Sequence, residues 1–202
     1  ASYGSITSSY SYTLQDSDFA NSSDTVEISL GVVDALDTAV SSNFSVWDLA
    51  LTSATKGETP TPDPTPEPTP EPTPEPTPEP TGEIEFQGYG NAFNGSNGLI
   101  SMSTGYGSIS QMQVEQNLGL TLGELDSDLN ASKTAINATE GSAINASFEA
   151  SAGDIVSFNY VFGTSDYIPF QDFSFYSING KAQSLAVVGV DTPNYGSTSG
   201  IV

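Results

Sequence analysis

Short runs in which apolar and polar residues take turns fill both ends of the chain, and a long proline-rich tract divides them. Before the tract, Ser9 to Leu14 sets Tyr10, Tyr12 and Leu14 on one side. After a polar loop from Asp16 to Asp24, Thr25 to Val32 does the same with Val26, Ile28, Leu30 and Val32. Phe44 to Leu51, which carries the single Trp47, is a third such run. A side-chain period of two marks a strand with one buried face. Three strands alone leave that face wet, so the segment is not expected to fold by itself.

Behind the tract the pattern begins with a strand-like Glu83 to Gln87 and turns rich in Gly and Asn. Ile109, Met112, Val114, Leu118, Leu122, Leu125 and Leu129 then recur at helical spacing, which predicts one or two short helices around Gly119. Alternation returns in Ala143–Ala150, Ile155–Phe162, Phe173–Ile178 and Ala182–Val190, with Gly153-Asp154 as a turn before the second of these. The expected fold is all-β: an antiparallel, jelly-roll-like β-sandwich with one or two short helices, completed by strands from both sides of the tract. The organisation is residues 1–54 as one set of strands, 55–82 as linker and 83–202 as the other set.

The tract itself, Thr59 to Thr81, repeats Thr-Pro-Glu-Pro every four residues. Alternate prolines fix φ and remove amide donors, which excludes helix and sheet interior and favours extended polyproline II. At about 3.1 Å per residue such a tract reaches roughly 70 Å. It reads as a stiff acidic spacer. Its composition is also that of O-glycosylated stalks, which makes Thr61, Thr65, Thr69, Thr73, Thr77 and Thr81 glycan candidates. Six Asn-X-Ser/Thr sequons also occur, a number that a chain so rich in Asn, Ser and Thr produces by chance.

Composition narrows the function. Three basic residues stand against 25 acidic ones, a net charge of −22 that leaves too little to neutralise nucleic-acid phosphates. No stretch is long and apolar enough for a membrane span. Cys and His are both absent, so thiolate, zinc–thiolate and Ser-His-Asp chemistry cannot be built. Abundant Gly, Ser, Thr and Asn suit an extracellular or cell-surface β-domain. Carboxylates are the plentiful reactive groups. Asp166 and Asp172 flank one strand-end loop, and Asp34 and Asp37 sit beside another strand. Oxygen-rich loops of this kind suit calcium, although the spacing matches neither an EF-hand nor a nonapeptide repeat; turn capping is the alternative role. No acid pair is bracketed as in a glycosidase, and no enzymatic activity is expected. The aromatics at alternating strand positions fit a sandwich core better than a sugar-stacking platform.

Several blocks of the rear segment occur together in a known setting. Ile109-Ser110-Gln111 and Leu118-Gly119-Leu120, Ala138 to Ile144, Ala152 to Phe162, Asp166-Tyr167 and Pro169 to Phe175 resemble, in order and spacing, a bacterial extracellular β-sandwich family. That family is found in cyanobacterial-type, PEP-CTERM-type and other anchored, repeat-bearing surface proteins. Its closing strand resembles Ser29 to Ser42, which here stands at the front, and Tyr195 to Gly200 resembles the run that should precede Tyr10 to Leu14. The resemblance implies a permuted order, with 83–202 followed by 1–54. It also implies a repeat unit or subunit of an extracellular fibre, built as a tandem array or by head-to-tail strand complementation between copies. A carbohydrate-binding or calcium-dependent adhesion module on a surface stalk is the alternative, and a permutant folded within one chain is the third arrangement.

Overall fold

A computed structural model of the chain describes residues 4–19, 25–53, 85–126 and 137–191. The tract with its six threonines, Leu129 and the Tyr195–Gly200 run lie outside the described residues. Three strands precede the tract: β1 (Gly4–Thr13), β2 (Thr25–Ala35) and β3 (Asn43–Thr52). Behind it come β4 (Gln87–Tyr89), β5 (Asn91–Asn94), β6 (Ile100–Ser103) and β7 (Ile109–Ser110). One helix, α1 (Gln111–Asn117), separates these from β8 (Ala138–Glu149), β9 (Ile155–Thr164), β10 (Phe173–Ile178) and β11 (Lys181–Val187).

The strands form two antiparallel sheets, ordered β1-β9-β3-β6-β5 and β11-β10-β2-β8-β4, with β7 also on β8. The front strands are therefore not an appendage. β2 lies between β10 and β8, β3 lies between β9 and β6, and β1 pairs along the whole of β9 from Gly4–Thr164 to Thr13–Ile155. In the single chain they close the sandwich formed by the rear strands of that same chain.

The expected alternation sets the core. Val26, Ile28, Leu30 and Val32 of β2 meet Phe44 and Val46 of β3, Ile100 and Met102 of β6, and Val156, Phe158, Tyr160 and Phe162 of β9 between the two sheets. Tyr10 packs on Phe158 and Tyr176 with ring centroids 5.2 and 4.4 Å apart, inside the range of favourable aromatic pairs. A second cluster covers the outer face of the other sheet, where Val114 and Leu118 of α1 meet Val33, Phe173 and Phe175. Phe175 lies directly across from Gly31, and a Cβ at Gly31 would come within 2.4 Å of its ring. The glycine is thus a bed for an aromatic ring.

Of the one or two short helices expected around Gly119, one α-helix forms among the described residues, capped by the reciprocal Ser110–Gln113 pair. The second apolar run, around Leu122 and Leu125, is a chain of turns, because buried Glu115 takes the amides of Gly123 and Leu125 at 2.8 Å each and holds that loop to α1. The Gly/Asn-rich stretch yields β5 and β6 where turns alone were expected, and β7 takes Ile109 and Ser110 from the start of the expected helical run. β4 covers Gln87–Tyr89, with Glu83 and Ile84 of the expected strand outside the described residues.

This interleaving has a direct consequence for the pieces. Residues 1–54 and 83–202, produced separately, should each show little cooperative unfolding by circular dichroism. Mixing them should restore a single cooperative transition, and an independently folded front piece would contradict the topology.

Candidate metal centre

The apolar stripes between the sheets end on oxygen-bearing side chains at one end of the sandwich. On β2 the series Val26, Ile28, Leu30, Val32 continues to Asp34, and on β3 the series Val46, Phe44 continues to Ser42. Ile100 and Met102 of β6 are followed by Thr104, and Phe162 of β9 is followed by Thr164 and then Asp166. On β10 the inward positions Ile178, Tyr176 and Ser174 lead back to Asp172. The β10–β2 register ends at Phe173–Val33, so Asp172 and Asp34 face each other one step beyond it. Asp34, Asp166, Asp172 and Thr104 are each only 1% exposed, and Ser42 and Thr164 are fully buried.

Oxygens of Asp34, Asp166 and Asp172 all lie within 4.8 Å of one another. Ligands sharing one ion at about 2.3–2.6 Å can stand at most about 5 Å apart, so the cluster fits around a single cation. Local structure fixes each member differently. Asp172 accepts the Ala35 amide at 3.0 Å on one oxygen and the Ser42 hydroxyl at 2.5 Å on the other, which ties β10 to β2 and β3. Ser42 and Thr104 hold each other through two bonds, amide to hydroxyl at 2.9 Å and amide to carbonyl at 3.0 Å. The Asp166 amide donates to Thr164 Oγ1 at 2.9 Å, and the following loop contains a cis Ile168–Pro169 bond. Behind Asp34 the chain turns through Leu36 in the left-handed region (φ 71°), where Thr139 Oγ1 donates to the carbonyls of Asp34 and Asp37.

By contrast, neither oxygen of Asp34, nor Oδ2 of Asp166, has a hydrogen-bond partner of good geometry. Buried carboxylates in this state take up a proton or meet a cation, since an isolated buried charge is costly. Burial pushes Asp34 up to about 6, with Asp166 and Glu140 adding repulsion, while the Thr104 hydroxyl and the Asp172 carboxyl pull it partly back. Burial and then Asp34 push Asp172 up to about 10, and burial also raises Asp166, with Asp37 adding to it. In the absence of a cation, Asp34 and Asp172 share a proton, because two bare carboxylates have none to offer each other.

Of the four acids singled out in the sequence, the structure brings three together. Asp37 is only half-buried and turns its carboxylate to the Ala39 amide at 3.0 Å, close enough to repel Asp166 but outside the cluster. The supporting Ser42, Thr104 and Glu140 were not singled out. Their signal was present as the next polar residue in each alternating stripe. A separate open cleft of about 560 Å³ lies among Trp47, Asp48, Phe86, Asn94 and Asn97, with Asp48 in the left-handed region at φ 54°.

Comparison with protein families, with curated proteins and with solved structures finds no match.

The raised carboxyl pKa values give a pH dependence of definite sign. Each group binds its proton more tightly folded than unfolded, so its contribution to stability is complete below about pH 4 and is lost as pH rises through 6 towards 10. In chelator, the melting temperature should fall between pH 4 and pH 8. Asp34→Asn should flatten that slope and raise the midpoint at pH 8, by about 2–4 °C for each kcal/mol of repulsion relieved. A wild-type slope unchanged by Asp34→Asn would show that the cluster does not control it.

Proposed function

We propose that this chain is a structural unit of an extracellular fibre, whose front strands can seat in the sandwich of a neighbouring copy as they do in their own. The observation that carries this reading is the interleaving. Residues 4–53 supply inner strands to both sheets, yet they connect to the rest only through the Thr-Pro-Glu-Pro tract. In the polyproline II form that its composition favours, the tract would reach roughly 70 Å, more than the longest strand described, the 12-residue β8, at about 40 Å. The same registers are then within reach inside one chain or between two. Exchange of this kind is head-to-tail and does not close, which gives a linear polymer. The high acidic charge keeps unpolymerised chains apart, and the linker threonines are positions for a glycan coat. The resemblance to repeat-bearing bacterial surface proteins supports the same reading.

A second reading has one observation in its favour. The cleft at Trp47 and Phe86 combines aromatic faces with the side chains of Asp48, Asn94 and Asn97, which is the chemistry that holds a sugar ring. On that reading the chain is a carbohydrate-binding module on a stalk.

Negative-stain imaging and light scattering of the purified chain over a wide concentration range separate the two. Filaments with one globular unit per chain are expected, together with an intact mass above 21.0 kDa if the tract is glycosylated. Monodisperse monomers at every concentration would sink the fibre. For the module, a glycan array should retain the wild type and lose about tenfold or more in signal with Trp47→Ala, the loss of one stacked aromatic being worth about 1–3 kcal/mol by analogy with ring stacking on bases.

A further inference from the structure

We propose that Asp34, Asp166 and Asp172 form a calcium site, and that its ion fastens the segment before the tract to the segment behind it. The three carboxylates fit around one ion, with oxygens within 4.8 Å of one another. Independent of that spacing, both oxygens of Asp34 and Oδ2 of Asp166 are buried with no hydrogen-bond partner of good geometry, so the site holds acceptor capacity that its neighbours Thr104 and Asp172 fill poorly. Nor do the described residues supply a counter-charge. Lys181 is the one basic residue among those described. It is exposed and pairs with Ile178, six residues along β10 from Asp172, or about 20 Å.

The donor set selects the ion. Every available atom is a hard oxygen and the chain has no His or Cys, which disfavours zinc and copper. Asp34 can offer two oxygens at once, and the ring of hydroxyls and carboxylates around it is irregular. Calcium accepts six to eight oxygens in flexible geometry, whereas magnesium demands a near-ideal octahedron and gives up its waters reluctantly. Beside Thr104, which borders the cluster, a cavity of about 320 Å³ opens between Thr38, Ser41 and Glu140. Glu140 also lies opposite Asp34 across the β2–β8 ladder and adds negative potential at the mouth.

The chain positions of the ligands give the site its meaning. Asp34 belongs to the segment before the tract, and Asp166 and Asp172 to the segment after it. An ion bound by all three bridges a junction otherwise made by strand pairing and by core packing between the segments. If copies exchange their front strands, each ion sits between Asp34 of one copy and Asp166 and Asp172 of the next. This last clause rests on the proposed fibre; binding of the ion does not.

The test is calorimetric titration of calcium into the full chain, stripped with chelator and returned to neutral buffer. One ion per chain is expected, with a dissociation constant at or below about 1 mM, the weak end of extracellular calcium modules, and a rise in melting temperature on addition. Asp34→Asn should weaken binding by about tenfold or more and abolish the thermal response, whereas Asp37→Asn should leave affinity within about threefold. Asp166→Asn serves the same purpose should Asp34→Asn fail to fold. Absence of binding at 10 mM calcium, roughly ten times the weakest constant expected, would overturn the site, as would wild-type affinity in both Asp34→Asn and Asp166→Asn. Equal stabilisation by magnesium would overturn the choice of ion. Calcium binding by a chain that stays monomeric would uphold the site and reject the fibre. Fibres that assemble equally well in chelator would uphold the fibre and reject the ion's fastening role between copies.

Discussion

Neither segment of this chain can dry its own apolar face, and that constraint organises everything else. The stripe Val26, Ile28, Leu30, Val32 finds Phe44 and Val46 of β3 among the buried front residues of its cluster and needs Ile100, Met102 and the β9 aromatics of the rear segment to complete its cover. Phe158, Tyr160 and Phe162 of the rear segment pack in the same cluster, with Phe44 against Tyr160 and Tyr10 against Phe158 from the front. Burial of apolar surface, worth about 25 cal/mol per Å², is available only when the two sets interleave. Because β2 and β3 enter the middle of their sheets, folding is a joint act of both segments. The tract between them need only be long enough to permit it.

The same constraint explains why chemistry concentrates at one end. Stripes of alternating residues must stop somewhere, and five of them stop at the same level on Asp34, Ser42, Thr104, Thr164 and Asp172, with Asp166 just beyond. Polar groups placed there are shielded by both sheets and by the 36–42 and 165–172 loops. Hydroxyls and amides satisfy Asp172, whereas Asp34 and one oxygen of Asp166 go without. The sandwich therefore carries a local deficit of positive charge in a low-dielectric place, which raises the carboxyl pKa values there.

Much of the fold was legible in the residues. Alternation located the long strands because a period of two survives wherever one face is buried, and the Phe173–Ile178 run matched its strand end for end. It failed between Gly88 and Ser110, where strands of two to four residues are too short to show a period. The second helix failed for a different reason: Leu122 and Leu125 have helical spacing, but Glu115 draws their loop inward by tertiary hydrogen bonds that no local pattern encodes. For the site, loop composition pointed to Asp34, Asp166 and Asp172. It could not separate them from Asp37, because the difference is one of facing: Asp34 continues an inward stripe, and Asp37 lies past the left-handed turn at Leu36.

The placement of β3 also has a mechanical side. Its last residue, Thr52, is paired with Ile155, and the strand is hydrogen-bonded to β9 on one edge and, over its first four residues, to β6 on the other. Any tension arriving along the chain behind Thr52 pulls on β3 near its own axis. Ladder bonds run perpendicular to the strands, so an axial pull loads many of them at once instead of opening them one after another. Shear of this kind resists force far better than peeling. A pull along the chain behind Thr52 therefore meets its resistance inside a sheet and not at a sheet edge.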